Sequence, residues 1–198
     1  MAKTASGDIR NILATVNGLS SSFKGRCNIV INDREMYVVI RNLLLLWVFS
    51  VFPPTEAAEM GLHLWYSAKL PSAMCKRLRE SFSEGFKKIS LHMAKAPSTP
   101  SDTLLSTSFN LGEKGKMHCV LPRAHWTELF SMLDLKMSSQ EATQIRHQIT
   151  MNEARRDYRE RHLCLIPASC RASKQQFYED GLLLPFGADR SEFTEANL

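Results

Sequence analysis

The stretch that most limits what this chain can fold into is residues 27–52, CNIVINDREMYVVIRNLLLLWVFSVF. A short β-branched run, Asn28 to Ile31, leads into Asn32-Asp33, and a strongly apolar helix follows almost at once. Strand, acidic residue and helix form half of a βαβ unit, in which a buried parallel strand delivers a carboxylate to the C-terminal edge of a sheet. In nucleotide-binding folds such a carboxylate accepts hydrogen bonds from ribose hydroxyls. Asp33 can equally serve as a cap, because Asn and Asp side chains accept orphan backbone N–H groups at helix starts. The residues alone leave both roles open.

The helix cannot be a membrane span. Leu43 to Phe52 gives ten residues, all apolar but Ser50, between Arg41-Asn42 and Pro53-Pro54, where a span needs about 20. It therefore reads as a buried core helix that the two prolines terminate. A chain of 198 residues suits one domain with a sizeable core. The net charge of +5 is spread over Lys76–Lys95 and Arg155–Arg171, which favours solvated helix faces over a nucleic-acid patch. Five dispersed cysteines, Cys27, Cys75, Cys119, Cys164 and Cys170, with no secretory signal, read as free thiols in a reducing compartment.

Upstream of the central stretch, Ile9, Ile12, Leu13 and Val16 mark an amphipathic helix from about Asp8, capped by Ser6 or Thr4. Gly7 stands where a glycine-rich loop would enter that helix. A full dinucleotide fingerprint would add two more glycines and a preceding strand, and neither is legible in the six residues before Gly7.

Downstream, Thr55 caps a short helix over Glu56–Met60, and LHLWYS at 62–67 reads as a strand on its aromatic content. Pro71 opens a helix to about Leu91 with Met74, Leu78, Phe82, Phe86 and Ile89 inward. The Ser/Thr/Pro-rich residues 96–108 read as a flexible internal loop. After Gly112 and Gly115, MHCVL reads as a strand, and Pro122 starts a helix bearing Trp126, Leu129, Phe130 and Leu133. Ser138-Ser139 cap a long helix to about Arg161, Leu163–Pro167 is strand-like, and Ala172–Glu179 is a helix stopped by Gly181. LLLPFG at 182–187 is an apolar loop or strand end, and the tail carries no terminating signal.

Few residues suggest chemistry. No metalloprotease helix, P-loop, nucleophile elbow or zinc-ligand cluster occurs, so no metal is expected. A bound zinc would point to His162, Cys164 and Cys170. His118 and Cys119 alternate across a strand, and His125 with Glu128 forms an ordinary polar helix pair. Arg155, Arg156, Arg159 and Arg161 alternate with Asp157 and Glu160, as salt-bridged surface does; a phosphate or RNA patch would want neighbouring aromatics, and only Tyr158 lies in the run.

Taken together, SGDIRNILATV, CNIVINDREMYVVIRNLLLLWVF, LHLWYSAKLP, RRDYRERHL and FYEDGLLLPFG resemble DUF4470, an uncharacterised domain of fungal proteins that often also carry a MYND zinc finger. A related domain forms the N-terminal part of an axonemal dynein assembly factor. The resemblance implies an α/β, Rossmann-like three-layer sandwich similar to S-adenosylmethionine-dependent methyltransferases, here with the first strand missing. It implies one domain over residues 1–198, cut at both ends, with Gly7 and Asp8 ending the cofactor loop and Asp33 as the acid after the second strand. The expected role is a non-catalytic binding or scaffold module for protein assembly. The alternative is a methyltransferase whose S-adenosylmethionine loop lies upstream. The implied partners are proteins, neither membrane nor nucleic acid, with a zinc finger in the full-length protein. The implied compartment is the cytoplasm, or else the nucleus. LHLWYS offers only His63 and Tyr66 as catalytic groups, with no amide-methylating pattern, so the catalytic residues stay unassigned.

Overall fold

The computed structural model describes residues 2–4, 7–111, 115–134, 137–184 and 187–197, with residues 2–4 described by their backbone. The expected caps Thr4 and Ser6, Gly112, and Pro185-Phe186 of the LLLPFG segment lie outside the described side chains or residues. The fold is mixed helix and sheet. Its described strands form three separate two-stranded sheets.

The chain begins with a strand that the sequence does not advertise. Ala2–Thr4 (β1) runs parallel to Val30–Asn32 (β2), pairing Ala2 with Val30, Lys3 with Ile31 and Thr4 with Asn32. Between them in sequence lies Arg10–Asn17 (α1), which buries Ile12, with Ile9 just before it buried as well. The expectation of a missing first strand is thereby corrected. Three residues are enough for a parallel pair, but too few to show an alternating pattern. The strand is also less buried than a central one: Ile29 is 37% and Val30 56% exposed. A parallel strand is buried only where helices cover both faces, and here the apolar core lies among the helices and the hairpin of residues 104–122 instead.

The helix Met36–Val51 (α2) organises that core, burying Ile40, Leu43, Leu44, Leu45 and Val48 as the sequence predicts. Pro54 then occupies the first turn of Pro54–Tyr66 (α3), where its missing N–H is not needed. This helix absorbs LHLWYS, expected as a strand. Ala57, Met60, Gly61 and Leu64 are buried at i, i+3, i+4 and i+7, so a helical stripe prevails over aromatic β-propensity.

After the two-residue strand Lys69–Leu70 (β3), Ser72–Lys95 (α4) buries Cys75, Leu78, Phe82, Phe86 and Ile89. The flexible loop expected over residues 96–108 is shorter than its composition suggests. Leu104–Leu111 (β4) pairs antiparallel with Gly115–Pro122 (β5), in register from Leu104 with Pro122 to Leu111 with Gly115. Leu105 and Phe109 alternate inward, a period-2 pattern that the Ser/Thr content hides. Arg123–Asp134 (α5) closes this side. Its buried Trp126 donates Nε1–H to the Leu105 carbonyl at 3.2 Å.

A capping box at Ser138 and Glu141 starts Ser139–Thr150 (α6). The single long helix expected to Arg161 is broken here. Asn152 accepts from the Ala154 amide and caps a 3-10 turn, Glu153–Arg155, and Arg156–Leu165 (α7) follows. Arg159 donates to the carbonyls of Thr150 and Asn152 at 2.8 and 2.9 Å, sealing the break. Leu163–Pro167, expected as a strand, is instead the last turn of α7 and the cap of Ala168–Asp180 (α8). Gly181 ends α8 at φ +69, in the left-handed conformation its position calls for. The tail is docked: Glu195–Ala196 (β6) pairs antiparallel with β3. Asn197 Nδ2 lies 3.1, 3.2 and 2.7 Å from the carbonyls of His63, Leu64 and Ser67, at the C-terminal end of α3.

Candidate functional site

Gly7, Asp8 and Asp33 come together at the C-terminal ends of β1 and β2. Gly7 has φ +56, which lets the chain turn from β1 toward α1. Its amide donates to Asp33 Oδ2 at 2.8 Å, while Asp33 Oδ1 accepts from the Glu35 amide at 3.0 Å. The amides of Glu35 and Gly7 hold the Asp33 carboxyl below the usual carboxylate range. The helix cap itself is Glu35, whose side chain makes no capping bond. Asp33 thus accepts an amide at the start of α2, close to the capping reading, while its bond from Gly7 is in neither sequence reading: it ties the loop after β1 to the loop after β2.

Asp8 faces a different partner. Arg10 Nε donates to Asp8 Oδ2 at 2.6 Å, and its guanidinium closes an ion pair there. That bond lowers the Asp8 pKa and raises that of Arg10. Arg10 also lies 5.3 Å from the centroid of the Trp65 ring and donates to the Tyr66 hydroxyl at 3.1 Å. The carboxylate is thus already neutralised, and the arginine is fixed by the end of α3.

The third support is Asn42 of α2. Its Nδ2 donates to the Gly7 carbonyl at 2.8 Å, while its Oδ1 is buried without a hydrogen-bond partner. Sequence reasoning missed Arg10, Asn42 and Trp65. A lone Asn in the run RNLLLL was the available signal, because an amide inside an apolar helix needs a polar partner.

Beside this cluster a cleft of about 220 Å³ opens between α2, α3 and α5, lined mainly by Tyr37, Ile40, Arg41, Leu44, Leu64 and Met132. Its walls are apolar, apart from Arg41 and Tyr37. The Tyr37 hydroxyl donates to Glu128 at 3.3 Å. Of the two catalytic candidates, Tyr66 is held by Arg10. His63 is 2% exposed, tilted against Phe193 at 5.4 Å, with burial pushing its pKa down. The two therefore do not converge on the cleft as an acid–base pair.

The remaining sequence candidates separate. His118 is exposed and bonds Ser108 at 2.9 Å, while Cys119 faces inward and burial pushes its thiol up to about 11. Glu128 serves Tyr37 rather than His125. Among the described residues no group of three His, Cys, Asp or Glu side chains is placed to hold a metal ion. No helix among them is long and apolar enough to cross a membrane.

The architecture defines a mixed helix–sheet domain whose first βαβ unit is closed by an aspartate. Residues 1–70, from β1 through β3, match the family model described as a domain of unknown function, DUF4470. The whole Gly7–Asp33–Asn42 cluster falls inside that match. No curated protein and no solved structure matches the chain.

Proposed function

We propose that this chain is a methyltransferase-like domain acting as a non-catalytic binding or scaffold module in protein assembly. The observation that carries the reading is the 2.8 Å bond from the Gly7 amide to Asp33. In dinucleotide-type and S-adenosylmethionine-type sites, the loop amide after the first strand approaches the ligand, and the acid after the second strand accepts from its ribose. In this chain the two groups satisfy each other. The residues present thus fit S-adenosylmethionine poorly, because a ligand would have to replace a charge-assisted bond already made. Asp8, the second aspartate of the cluster, is likewise occupied by Arg10. A scaffold needs only a stable surface, which the cluster and the cleft beside it supply. Protein partners, a zinc finger elsewhere in the full-length protein and a cytoplasmic or nuclear setting belong to the same reading.

One observation favours the alternative, a methyltransferase with further loop residues upstream: β1, Gly7, α1, β2 and Asp33 follow one another in the order of such a site. Calorimetry with S-adenosylmethionine and its demethylated product separates the two. Two charge-assisted hydrogen bonds of about 1.5–3 kcal/mol each, less an association cost of at least about 4 kcal/mol, leave at most about 2 kcal/mol, so the dissociation constant should be weaker than millimolar. Micromolar binding that disappears in Asp33→Ala overturns the scaffold reading in favour of the enzyme.

A further inference from the structure

Where α6, α7 and α8 meet, basic side chains and aromatic rings come together away from the cluster described above, and His162 of α7 stands edge-on to Tyr178 at 6.3 Å. Arg146 of α6 lies 5.5 Å from the centroid of the Phe177 ring, and Lys174 Nζ lies 4.8 Å from the same centroid. Lys174 is also 5.0 Å from the Tyr178 centroid. Arg155 stands near enough for its charge to act on Arg146, and Arg146 acts likewise on Lys174. Among the described residues none of these three cations forms an ion pair; the nearby Glu153 and Glu160 are both taken by Arg156.

Such an arrangement is costly for a merely structural role. Burial and like charge together disfavour the charged forms of Arg146 and Lys174. Two polar atoms in the same corner are buried without a hydrogen-bond partner, Arg146 Nε and the hydroxyl of Tyr178, a residue only 6% exposed. The Arg146 stem packs against Gly181, where an added Cβ would lie 2.5 Å from its Cγ. Preorganised cations with unused donors, set on aromatic rings and lacking an acid, are complementary to an anion. Two cations over the rings with a third nearby suit a group of near-double negative charge, such as a phosphate monoester, better than a single carboxylate.

We propose that this corner of α6, α7 and α8 binds a phosphate monoester through Arg146 and Lys174 above Phe177 and Tyr178, with Arg155 close enough to Arg146 to add its charge. The site lies outside residues 1–70 and does not depend on the reading given to Gly7 and Asp33.

The test is thermal denaturation of the full chain titrated with inorganic phosphate, against chloride at matched ionic strength. Phosphate should raise the melting temperature saturably. Lys174→Gln should weaken the apparent affinity by about 10- to 100-fold, the effect of one lost charge-assisted bond, and Arg155→Gln should weaken it through the lost charge. Should Arg146→Met fail to fold, because its stem packs against Gly181, the other two variants carry the test. Blocked phosphoserine binding more tightly than inorganic phosphate places the group on a modified chain, and equal affinity points to free phosphate. A phosphate effect no larger than that of chloride, or an affinity unchanged in Lys174→Gln and Arg155→Gln, overturns the site.

Discussion

Asn42 sits in the most apolar helix of the chain, 1% exposed, and spends its side-chain amide on the carbonyl of Gly7 at 2.8 Å. The bond joins α2, which organises the core, to the loop that Asp33 closes. Replacing Asn42 with Ala leaves the Gly7 carbonyl without this donor and opens a space where the amide packed. A lost partner of that kind costs about 1–3 kcal/mol, and the space left behind adds to it. Urea denaturation of Asn42→Ala should therefore show a lower midpoint than wild type. A higher midpoint means that the loop is not anchored through Asn42.

A second prediction sets helix propensity against packing. Gly85 lies inside α4, where exchange for Ala in an open helix is favourable by about 1 kcal/mol. The Trp47 ring occupies the place of its side chain, closer than any real Cβ contact. That ring cannot swing away freely. Its Nε1 donates to Ser81 at 2.9 Å, and it packs on Phe86 and Phe109 with centroids 5.5 and 5.0 Å away. Overpacking of this type costs about 1–3 kcal/mol, so Gly85→Ala should be net destabilising. Thermal melts decide the sign.

The long apolar features were legible because their periods are long. α2 and α4 each present several turns of inward residues, and α5 announces itself through Trp126, Leu129 and Leu133. What escaped was short or settled by distant partners. β1 has three residues and exists through its pairing with β2, 28 positions along the chain from Ala2 to Val30. The helical state of Leu62–Tyr66 rests on burial of His63 and Leu64 and on the carbonyl contacts of Asn197, more than 130 residues away. At the candidate site, Gly7, Asp8 and Asp33 were placed by resemblance. Their mutual geometry could not be read, because a hydrogen bond between residues 26 apart leaves no local pattern.

Thiol reactivity offers a third prediction. Cys27, Cys164 and Cys170 are exposed, whereas Cys75 is buried and Cys119 lies inward on β5. The thiolate is the reactive species, and burial raises the pKa of both Cys75 and Cys119, the latter to about 11. Iodoacetamide at pH 8 should modify the three exposed cysteines quickly in the native protein. Cys75 and Cys119 should react only after unfolding, as peptide mass mapping will show. Early labelling of Cys75 contradicts the packing of α4.

The last prediction concerns acid stability and the loop closure itself. The folded Asp33 carboxyl is held below its ordinary value of 3.8 by the amides of Glu35 and Gly7. In the pH interval between the two values the unfolded chain binds more protons than the folded one, so stability rises with pH. The contribution is fully present above about pH 4 and is lost as pH falls through the lowered folded value. Asp33→Asn keeps one acceptor oxygen but cannot accept from both amides as a carboxylate does. The variant should be less stable than wild type at pH 7. The gap should close as the pH falls through that window, since protonated Asp33 then resembles Asn. Asp8, Glu141 and Asp189, whose pKa values are also lowered, keep some acid dependence in both proteins, and His63 adds a separate slope below pH 6.5 that Asp33→Asn leaves untouched. Denaturation midpoints at half-unit steps from pH 7 to pH 2.5 measure the difference between the two curves. A gap that stays constant down to the lowest pH would show that the Gly7–Asp33 bond does not rely on the carboxylate charge.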